Sequence, residues 1–565
     1  MRRLASFPVA VLGAYVVLTV GLFANTWAHP RGRWIGYDFD PILFIWYLRW
    51  MPFALAHGHN PLVSDYLNFP DGIHLMWNTS ILLPAFVLTP VTVLLGVVVA
   101  YNVLSTLAVA LSAWCAFFAL RRYVRAPAAA VGGLLYGFSS FMLVQAANHP
   151  HLTIAVFPPL ALLLLDEILV RQRRSPAAVG LLLGVVAALQ LLTGEEILAT
   201  TVLVAAIAVV VLALLHRDAV RARAPYAARA LGAAALVGCV LGAYPLARQT
   251  FGPQHVFARE SPVQVRGTYV LDVLELVVPS PRQELTFGAA DRVAAKFKGQ
   301  SEIGGYVGLP LLVLALVVVV LYRRDRLVQF VAAVAAIVVL LALGPRPNVA
   351  GHSLPLPLPW VVPQRLPLLQ SILPARLALL LFLLLAILVA LFVDRTRLRT
   401  PAVVAILAVA FAPLLPSLPF PSSASASPPF FTHGARPFTP GSVALVVPIA
   451  SVSGGTTRPM LWQAKSGLRF RMPEGVVIAP STASPELELV HDRLTALGRG
   501  ERAPALPSGT RCTLARRGID WVVVGPMSAG RATTIAYLER VFGRAPARAD
   551  GVAYWSVGRG GRGCT

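Results

Sequence analysis

Long apolar stretches alternate with short polar segments over the first three quarters of the chain. Most are close to the ~20 residues that cross the hydrocarbon core of a bilayer. They lie at 7–27, 80–97, 98–120, 127–147, 152–170, 177–193, 197–215, 228–247, 304–322, 327–344, 376–393 and 401–416. The pattern predicts an α-helical polytopic membrane protein with about 11–13 transmembrane helices. The first stretch is longer than the apolar region of a secretory signal, so we interpret it as a retained anchor.

Short basic clusters lie between the apolar stretches and predict their orientation. The chain has 48 Lys+Arg against 25 Asp+Glu, and clusters such as 121–125, 171–174 and 395–399 belong in the cytoplasm under the positive-inside rule. The N-terminus is then cytoplasmic, and 28–79, 248–303, 345–375 and everything after about 417 are external. Because the basic residues are dispersed, without aromatic residues between them in a groove pattern, a nucleic-acid partner is not expected.

The stretch 80–97 conflicts with this topology. An odd number of crossings must separate the external segment 28–79 from a cytoplasmic Arg121, yet two apolar stretches lie between them, and Pro84 and Pro90 interrupt the first. Either 80–97 is a re-entrant or interfacial piece buried against protein, or the 121–125 loop breaks the charge rule.

The composition changes after the last apolar stretch. Residues 417–440 are rich in Pro, Ser and Ala and predict a linker between a membrane domain, 1–416, and an extracytoplasmic α+β domain, 441–565. Strands are predicted at 442–449, 475–479, 519–524 and 551–557, and a helix at 533–542. Cys512 and Cys564 both lie here, where an oxidising compartment permits a disulfide.

Two carboxylates, Asp38 and Asp40, begin the aromatic part of the first external loop. A carboxylate beside hydrocarbon is costly and usually has a functional partner. Either residue has the chemistry of a general base or of a cation ligand, and Asp40 is our first choice. The alternative is that one of them caps the helix that begins near Pro41. That helix is expected to lie in the membrane interface with its aromatic residues towards lipid, namely Phe44, Trp46, Tyr47 and Trp50.

This loop resembles that of a known enzyme class. The motifs are Asp40-Pro41, Phe44-x-Trp46-Tyr47-Leu48, Gly58-x-Asn60-Pro61-Leu62, Asn68-x-Pro70-Asp71-Gly72 and Trp77-Asn78-Thr79, with weaker matches at Tyr136-Gly137-Phe138-Ser139, Glu302-Ile303-Gly304-Gly305-Tyr306-Val307-Gly308 and Leu373-Pro374-Ala375-Arg376. Together they resemble polytopic GT-C glycosyltransferases of bacteria, particularly actinobacterial members.

The resemblance implies an inverting glycosyltransferase of the bacterial plasma membrane. Such enzymes carry a catalytic Asp or Glu in this loop and take a sugar from a polyprenyl-phosphate donor on the external face. Asp40, with Asp38 as second choice, would deprotonate the acceptor, a cell-envelope glycan or protein. Trp46 and Asn60 would help to bind the substrate, and Mg²⁺ or Mn²⁺ is a possible cofactor.

Polar residues at other external helix ends are further candidates. His149 and His151 offer two imidazoles to a metal, or are interfacial histidines that cap helix ends. Glu195 and Glu196 would orient the acceptor or hold a cation, or would form a capping box at the start of a helix. All four are expected at the same membrane level as Asp40.

External arginines are candidates for the lipid-linked phosphate, since guanidinium groups bind phosphate in bidentate fashion. Arg376 and Arg248 are our candidates for binding this phosphate. For each of them the alternative is that the side chain snorkels to the membrane interface. The other external arginines are Arg259, Arg282 and Arg365.

Two other function classes stay open. A multi-pass transporter or flippase would place ionisable groups near the bilayer midplane, whereas the candidate acids lie at external ends and Asp166 and Glu167 lie beside a cytoplasmic basic cluster. A non-catalytic scaffold that presents the external domain to envelope partners is the third interpretation.

Overall fold

The computed structural model describes residues 2–256, 267–366, 369–452, 455–480, 485–502 and 509–558, so Arg259 and Cys564 lie outside the described residues. The chain divides into two compact units. We call them the helical unit, Met1–Ala28, Val103–Tyr244 and Ser261–Ser422, and the mixed unit, His29–Asn102, Pro245–Glu260 and Ser423–Thr565. Both are discontinuous in sequence, whereas the domains predicted from composition are contiguous.

Helices dominate the helical unit. They span Arg2–Leu22, Ala24–Trp27, Ala126–Gly137, Ser140–Asn148, Pro150–Thr153, Phe157–Asp166, Glu167–Arg171, Pro176–Leu191, Glu195–Leu215, Gly288–Ala294, Leu309–Leu321, Arg326–Ala342, Ala378–Arg395 and Thr400–Phe411. Short 3₁₀ turns include Leu274–Leu276, Gln300–Glu302 and Pro374–Leu377, and the strands Asn348–Val349 and His352–Ser353 pair with each other. Two further helices, Val97–Leu120 and Arg217–Phe251, contain residues of both units.

Several of these helices have the length and composition of membrane spans. Within the described residues five qualify, at Val97–Leu120, Pro150–Arg171, Glu195–Leu215, Arg217–Phe251 and Pro374–Arg395. The pair Ala126–Gly137 and Ser140–Asn148, bent by 41°, would make a sixth if it is one broken span. Shorter apolar helices lie at Phe7–Leu22, Pro176–Leu191, Leu309–Leu321, Arg326–Ala342 and Thr400–Leu414. The apolar helices are those of a membrane-embedded protein, and the figure of 11–13 spans stays a prediction.

The helix Ala378–Arg395 is the centre of the helical unit. It is apolar on every face, and every residue from Ala378 to Phe392 is buried, as expected for a helix without a polar side. Helix Ala126–Gly137 packs against it closely because Gly132 has no side chain. A Cβ there would lie 2.8 Å from the carbonyl oxygen of Ala386 and 3.2 Å from the Cβ of Ala390.

A five-stranded sheet forms the C-terminal part of the mixed unit. Its strand order is Ala547–Ala549, Val552–Ser556, Trp521–Val524, Ser442–Val447 and Phe470–Arg471. The last three strands are mutually parallel and the first two are joined antiparallel, and the helices Arg458–Lys465, Pro485–Gly498, Thr510–Arg516 and Arg531–Phe542 accompany them. The strand predicted at 475–479 is wrong, because this segment is irregular.

The aromatic helix of the first loop spans Asp40–Ala56 and belongs to the mixed unit. Phe44, Trp46, Tyr47 and Trp50 are all at least 96% buried. The indole nitrogen of Trp46 donates to Oε1 of Gln463 at 2.6 Å, and Trp46 and Trp50 stack at 5.7 Å. The expectation that these rings face lipid is therefore wrong, because the helix packs against Arg458–Lys465 inside the unit.

The remaining elements of the mixed unit are short. They are the strands Arg33–Ile35, Val63–Ser64, Ile73–His74 and Ser422–Ala424, the 3₁₀ turn Leu75–Asn78, and the helices Leu82–Val87, Thr89–Leu95 and Pro429–Thr432. The apolar stretch 80–97 is thus two helices of 6 and 7 residues, too short to cross a bilayer singly. Both pack on the aromatic helix, which favours the buried-piece alternative for this stretch.

The disulfide expected in the C-terminal part of the chain is seen in part, because only one of the two predicted cysteines is described. Among the described residues Cys115 and Cys239 are free, whereas Cys512 is disulfide-bonded. An oxidised Cys512 is consistent with an oxidising compartment for the mixed unit.

Candidate functional site

The first candidate site is built on the start of the aromatic helix. Asp40 is the first helical residue, and the N-cap is Phe39, which makes no side-chain capping hydrogen bond. Neither aspartate is therefore the N-cap residue, contrary to the capping alternative. Tyr47 lies two turns further on, and helical side chains lean towards the N-terminus. Burial, and then the charge of Asp40, raise the pKa of Tyr47 above its usual value, so a neutral phenol lies close to the half-buried carboxylate.

Hydrogen bonds connect this helix to the end of the first loop. The Tyr47 hydroxyl donates to the carbonyl oxygen of Asn78 at 3.4 Å, and the Asn78 amide donates to the carbonyl oxygen of His74 at 3.1 Å. The indole of Trp77 donates to the carbonyl oxygen of Gln249 at 3.2 Å. The family-like Trp77-Asn78 pair thus joins the Asp40 helix to the segment that follows Pro245.

Arg248 supplies the positive charge at the other end of this site, beside the buried and neutral His74. His74 is 1% exposed, and neither of its ring nitrogens has a hydrogen-bond partner among the described residues; the same holds for Nε of Arg248. Burial, and then the guanidinium of Arg248, lower the pKa of His74 to about 4. A buried donor without a partner costs about 1–3 kcal/mol, and a phosphate oxygen is an acceptor that both side chains suit.

Asp38 has a different partner. Nε of Arg458 donates to Oδ2 of Asp38 at 2.8 Å, and the same guanidinium donates to the carbonyl oxygen of Ala424 at 2.9 Å and lies 5.1 Å from the ring centre of Trp34. Asp38 thus joins the first loop to the C-terminal segment of the mixed unit.

Two predicted substrate contacts have structural roles. Trp46 is fully buried beside Gln463. Oδ1 of Asn60 accepts a hydrogen bond from the backbone N–H of Leu62 at 3.0 Å, which is the pattern of an Asx turn. Both stabilise the loop that carries Asp40.

A second cluster of charged residues lies in the helical unit, around Arg376. Its Nε donates to Oε2 of Glu302 at 3.1 Å, its Nη2 donates to the other oxygen of Glu302, and its Nη1 donates to Glu196. The side chains of Arg376 and Glu302 are 12% and 3% exposed. The guanidinium is thus neutralised by two carboxylates. From the sequence, we expected this arginine to bind phosphate instead.

His149 and Gln145 complete this cluster. The amide of Gln145 donates to Oε2 of Glu302 at 2.9 Å, and its oxygen lies 2.7 Å from Nδ1 of His149. The same nitrogen is 3.6 Å from Oε1 of Glu302. Burial raises the pKa of Glu302, but the charges of Arg376 and His149 outweigh it and lower that pKa to about 2. Glu302 is therefore ionised at neutral pH.

Glu195 and Glu196 are the first two residues of the helix Glu195–Leu215. Glu196 accepts from Arg376 and from the backbone N–H of Leu373 at 2.9 Å. The N-cap is Gly194 without a side-chain cap, and the Thr193 hydroxyl donates to Leu189. The capping-box alternative is therefore wrong.

The residues around His149 and His151 do not fit a metal held by the protein alone. Their ring centres are 6.1 Å apart, and within the described residues there is no group of three or more His, Cys, Asp or Glu that could hold a metal ion. A cation that bridges protein and substrate stays a prediction.

The acids at the other helix ends are paired with arginine. Oδ2 of Asp166 accepts from Arg122 at 3.2 Å and from Arg171 at 2.7 Å, and Glu167 pairs with Arg122. Asp166 and Glu167 therefore belong to an ion-pair network with the basic cluster, as expected from their position.

A family model covers most of the chain, including residues of both units. The model of a family described as Domain of unknown function (DUF6311) matches residues 10–413. The chain belongs to the DUF6311 family. No curated protein matches this DUF6311 chain.

Solved structures share the fold of the DUF6311 chain. A mutant of the arabinofuranosyltransferase AftD from mycobacteria superposes with a TM-score of 0.57 at 19% identity, over 100% of this chain and 42% of that one. A second class of the same mutant gives 0.53 at 18% identity, over 97% and 41%. The oligosaccharyltransferase of Archaeoglobus fulgidus gives 0.50 at 12%, over 91% and 69%. The DUF6311 chain thus has the fold of GT-C membrane glycosyltransferases and spans less than half of AftD.

Three residues of these sites were not predicted from the sequence. Glu302 lies in a family-like motif that was not considered for a charged partner, and its signal was a carboxylate at the end of an external loop. His74 lies between two family-like motifs, and a buried histidine there is visible only in three dimensions. Arg458 lies 420 residues from Asp38, and no local pattern connects them.

Proposed function

We propose that this DUF6311 protein is a glycosyltransferase that moves a sugar from a polyprenyl-phosphate donor to an extracytoplasmic acceptor. The observation that carries the proposal is the half-buried Asp40, at the first turn of a rigid helix in a chain with the GT-C fold. The proposed cellular location is the bacterial plasma membrane, with the mixed unit on the external side.

Asp40 is the proposed general base. It would accept the proton of the acceptor hydroxyl as the oxygen attacks the anomeric carbon, and the bond to the donor phosphate would break with inversion. The buried helix fixes the position of Asp40, because Trp46 and Trp50 on the same helix are held in the core. Positioning of this kind contributes strongly to catalysis.

Arg248 and His74 are the proposed contacts for the leaving phosphate. The hydrogen bonds of Tyr47, Asn78 and Trp77 connect them to the Asp40 helix in one unit. Nε of Arg248 has no hydrogen-bond partner among the residues that the structure describes, whereas Arg376 is neutralised by two carboxylates. We therefore assign the phosphate to Arg248 and give Arg376 a structural role.

Acceptor and cation belong to the proposal too. The acceptor class is a cell-envelope glycan or protein, in line with the two kinds of transferase that share the fold. Mg²⁺ or Mn²⁺ dependence is a separate prediction, tested by transfer assays with and without a chelator, and no step above depends on it.

The substitution Asp40→Asn tests the proposal. Asparagine keeps the shape of the side chain but cannot accept the proton, so transfer from a polyprenyl-phosphate sugar by the purified protein should fall by about 10²–10⁴-fold. The matched control is Asp38→Asn, which removes the charge that pairs with Arg458 and should keep measurable transfer. Thermal unfolding of both variants should match that of the parent protein. Transfer at the parent rate by Asp40→Asn would eliminate Asp40 as the base.

A further inference from the structure

A polar cavity lies inside the mixed unit, at the end of its parallel strands. Residues 449–451, which directly follow the strand Ser442–Val447, form one wall. The family-like segment 68–71 forms another, and helix Pro485–Gly498 a third. Its volume of about 460 Å³ is within the range of small-molecule sites. Ligands commonly bind at the carboxyl ends of parallel strands.

Glu474 lies in the wall of this cavity and is only 6% exposed. Its Oε1 accepts a hydrogen bond from the backbone N–H of Val446 at 2.9 Å, but its Oε2 has no partner among the described residues. A buried carboxyl oxygen without a partner is costly. A hydroxyl group in the cavity would relieve that cost.

His491 adds a second group of the same kind. It lines the cavity, and its Nε2 is buried without a partner in the described part of the chain. Burial lowers the pKa of His491 to about 4, although Asp492 opposes the shift. The neutral ring can donate or accept one hydrogen bond, which suits a hydroxyl group that does both.

The charge of the lining indicates which ligand is suitable. Besides Glu474, three carboxyl side chains, those of Asp71, Glu488 and Asp492, line the cavity with one basic group, Arg517. Glu474 itself adds little charge at neutral pH, because burial raises its pKa. This excess of acids repels phosphate and so disfavours the lipid-linked donor. The remaining lining is partly apolar and includes Phe69, Val477 and Leu487, which can pack against the C–H face of a sugar ring.

We propose that this cavity binds a neutral saccharide through its hydroxyl groups, with Glu474, His491 and Asp492 as the polar contacts. Binding of the sugar does not require transferase activity. Its role as the acceptor subsite, which would hold part of the glycan away from the reacting hydroxyl, rests on the proposed function.

Saccharide binding to the purified full-length protein in nanodiscs tests the proposal. The probes are mannotetraose and arabinotetraose, observed by saturation-transfer NMR and titration calorimetry without any donor. At least one probe should bind. Glu474→Met, which keeps the volume, and Asp492→Ala, at the exposed rim, should each weaken it at least about fivefold. The control Glu486→Ala lies on the same helix outside the lining and should bind as the parent does.

Three results would overturn the proposal: no binding of either probe, unchanged binding by both variants, or displacement of the saccharide by inorganic phosphate. Displacement by Mg²⁺ or by tetralysine would likewise identify the cavity as a site for cations. Saccharide binding without sugar transfer would support this binding site and contradict the proposed transferase activity. Sugar transfer without saccharide binding would support the transferase activity and contradict the binding site.

Discussion

At the scale of single residues, Arg376 shows how a charge can be buried in the helical unit. It contacts Glu302 with two nitrogens and Glu196 with a third, Gln145 also donates to Glu302, and His149 lies 3.6 Å from it. Removal of one partner from such a pair leaves a buried charge without compensation. The cluster should therefore matter more for stability than a surface ion pair does.

The substitution Arg376→Met should lower the free energy of unfolding by about 3–5 kcal/mol, since two carboxylates lose their partner. Thermal unfolding in detergent measures the effect. Arg365→Met is the matched control, because Arg365 is exposed in the segment just before, and it should unfold like the parent protein. Glu302→Gln introduced into the Arg376→Met variant should recover part of the lost stability. An unchanged melting temperature for Arg376→Met would contradict the buried-cluster interpretation.

Glu474 should make the stability of the mixed unit depend on pH. Burial raises its pKa to about 8, whereas the unfolded chain has a value of about 4.3. Between these values the folded state binds the extra proton, so stability should decrease as pH rises from about 4.5 to about 8.

Denaturant unfolding at pH 5 and pH 8 measures this dependence. The parent protein should lose stability between the two, and Glu474→Gln, which does not titrate, should lose less. Glu486→Gln, an exposed acid, should keep the parent's slope. If Glu474→Gln keeps the parent's slope as well, Glu474 is not the group that takes up the proton.

Residue roles were predictable only where the signal was local. Glu196 and Asp40 were chosen because each is a carboxylate predicted at an external helix end. A charge beside hydrocarbon is costly, so it usually has a partner or a function. The partners of these acids were not predictable, because Arg376 is 180 residues from Glu196 and Arg458 is 420 from Asp38. Pairings of this kind depend on the packing of whole elements.

At the scale of elements, hydropathy predicted the apolar helices well. The predicted stretches 177–193 and 197–215 are helices at Pro176–Leu191 and Glu195–Leu215, because runs of this length satisfy their backbone only as helices in a membrane. The aromatic helix was assigned to the wrong environment. Its apolar residues lie on every face, and a helix without a polar side is buried rather than interfacial.

Close helix packing at Gly132 gives a test at this scale. A methyl group there would approach the carbonyl oxygen of Ala386 to 2.8 Å, so Gly132→Ala should force helix Ala126–Gly137 away from the central helix and lower the melting temperature. Gly232→Ala is the matched control, because a Cβ at Gly232 has no atom within 4 Å and alanine favours helix by up to about 1 kcal/mol. Equal melting temperatures for both variants would contradict the close approach.

At the scale of the whole molecule, the mixed unit combines three separated parts of the sequence. The composition change near 417 predicted a boundary, but it could not show that the first loop packs with the C-terminal sheet. Residues 66–69 exchange backbone hydrogen bonds with Met472 at 3.0 Å, and the Asn78 amide donates to Ile478 at 2.8 Å. Neither segment has a local pattern that identifies its partner.

A C-terminal fragment, 423–565, should therefore fail to fold by itself. Without the aromatic helix it exposes Met460, Leu461 and Gln463, which are buried in the full chain, and it should bind a hydrophobic dye and be digested quickly by protease. Fusion of 29–102 to the fragment through a flexible linker should restore protection. A protected, dye-free fragment would show that the first loop is dispensable for this fold.

The charge cluster of Arg376 also has a consequence for synthesis of the chain. Glu196 is made first, Glu302 later and Arg376 last, 180 residues after Glu196. Until Arg376 has been synthesised, the carboxylates of Glu196 and Glu302 lack the guanidinium that neutralises them in the folded protein. A chain truncated before Arg376 would keep two carboxylates without their guanidinium partner. We expect such a chain to be recognised as misfolded and degraded.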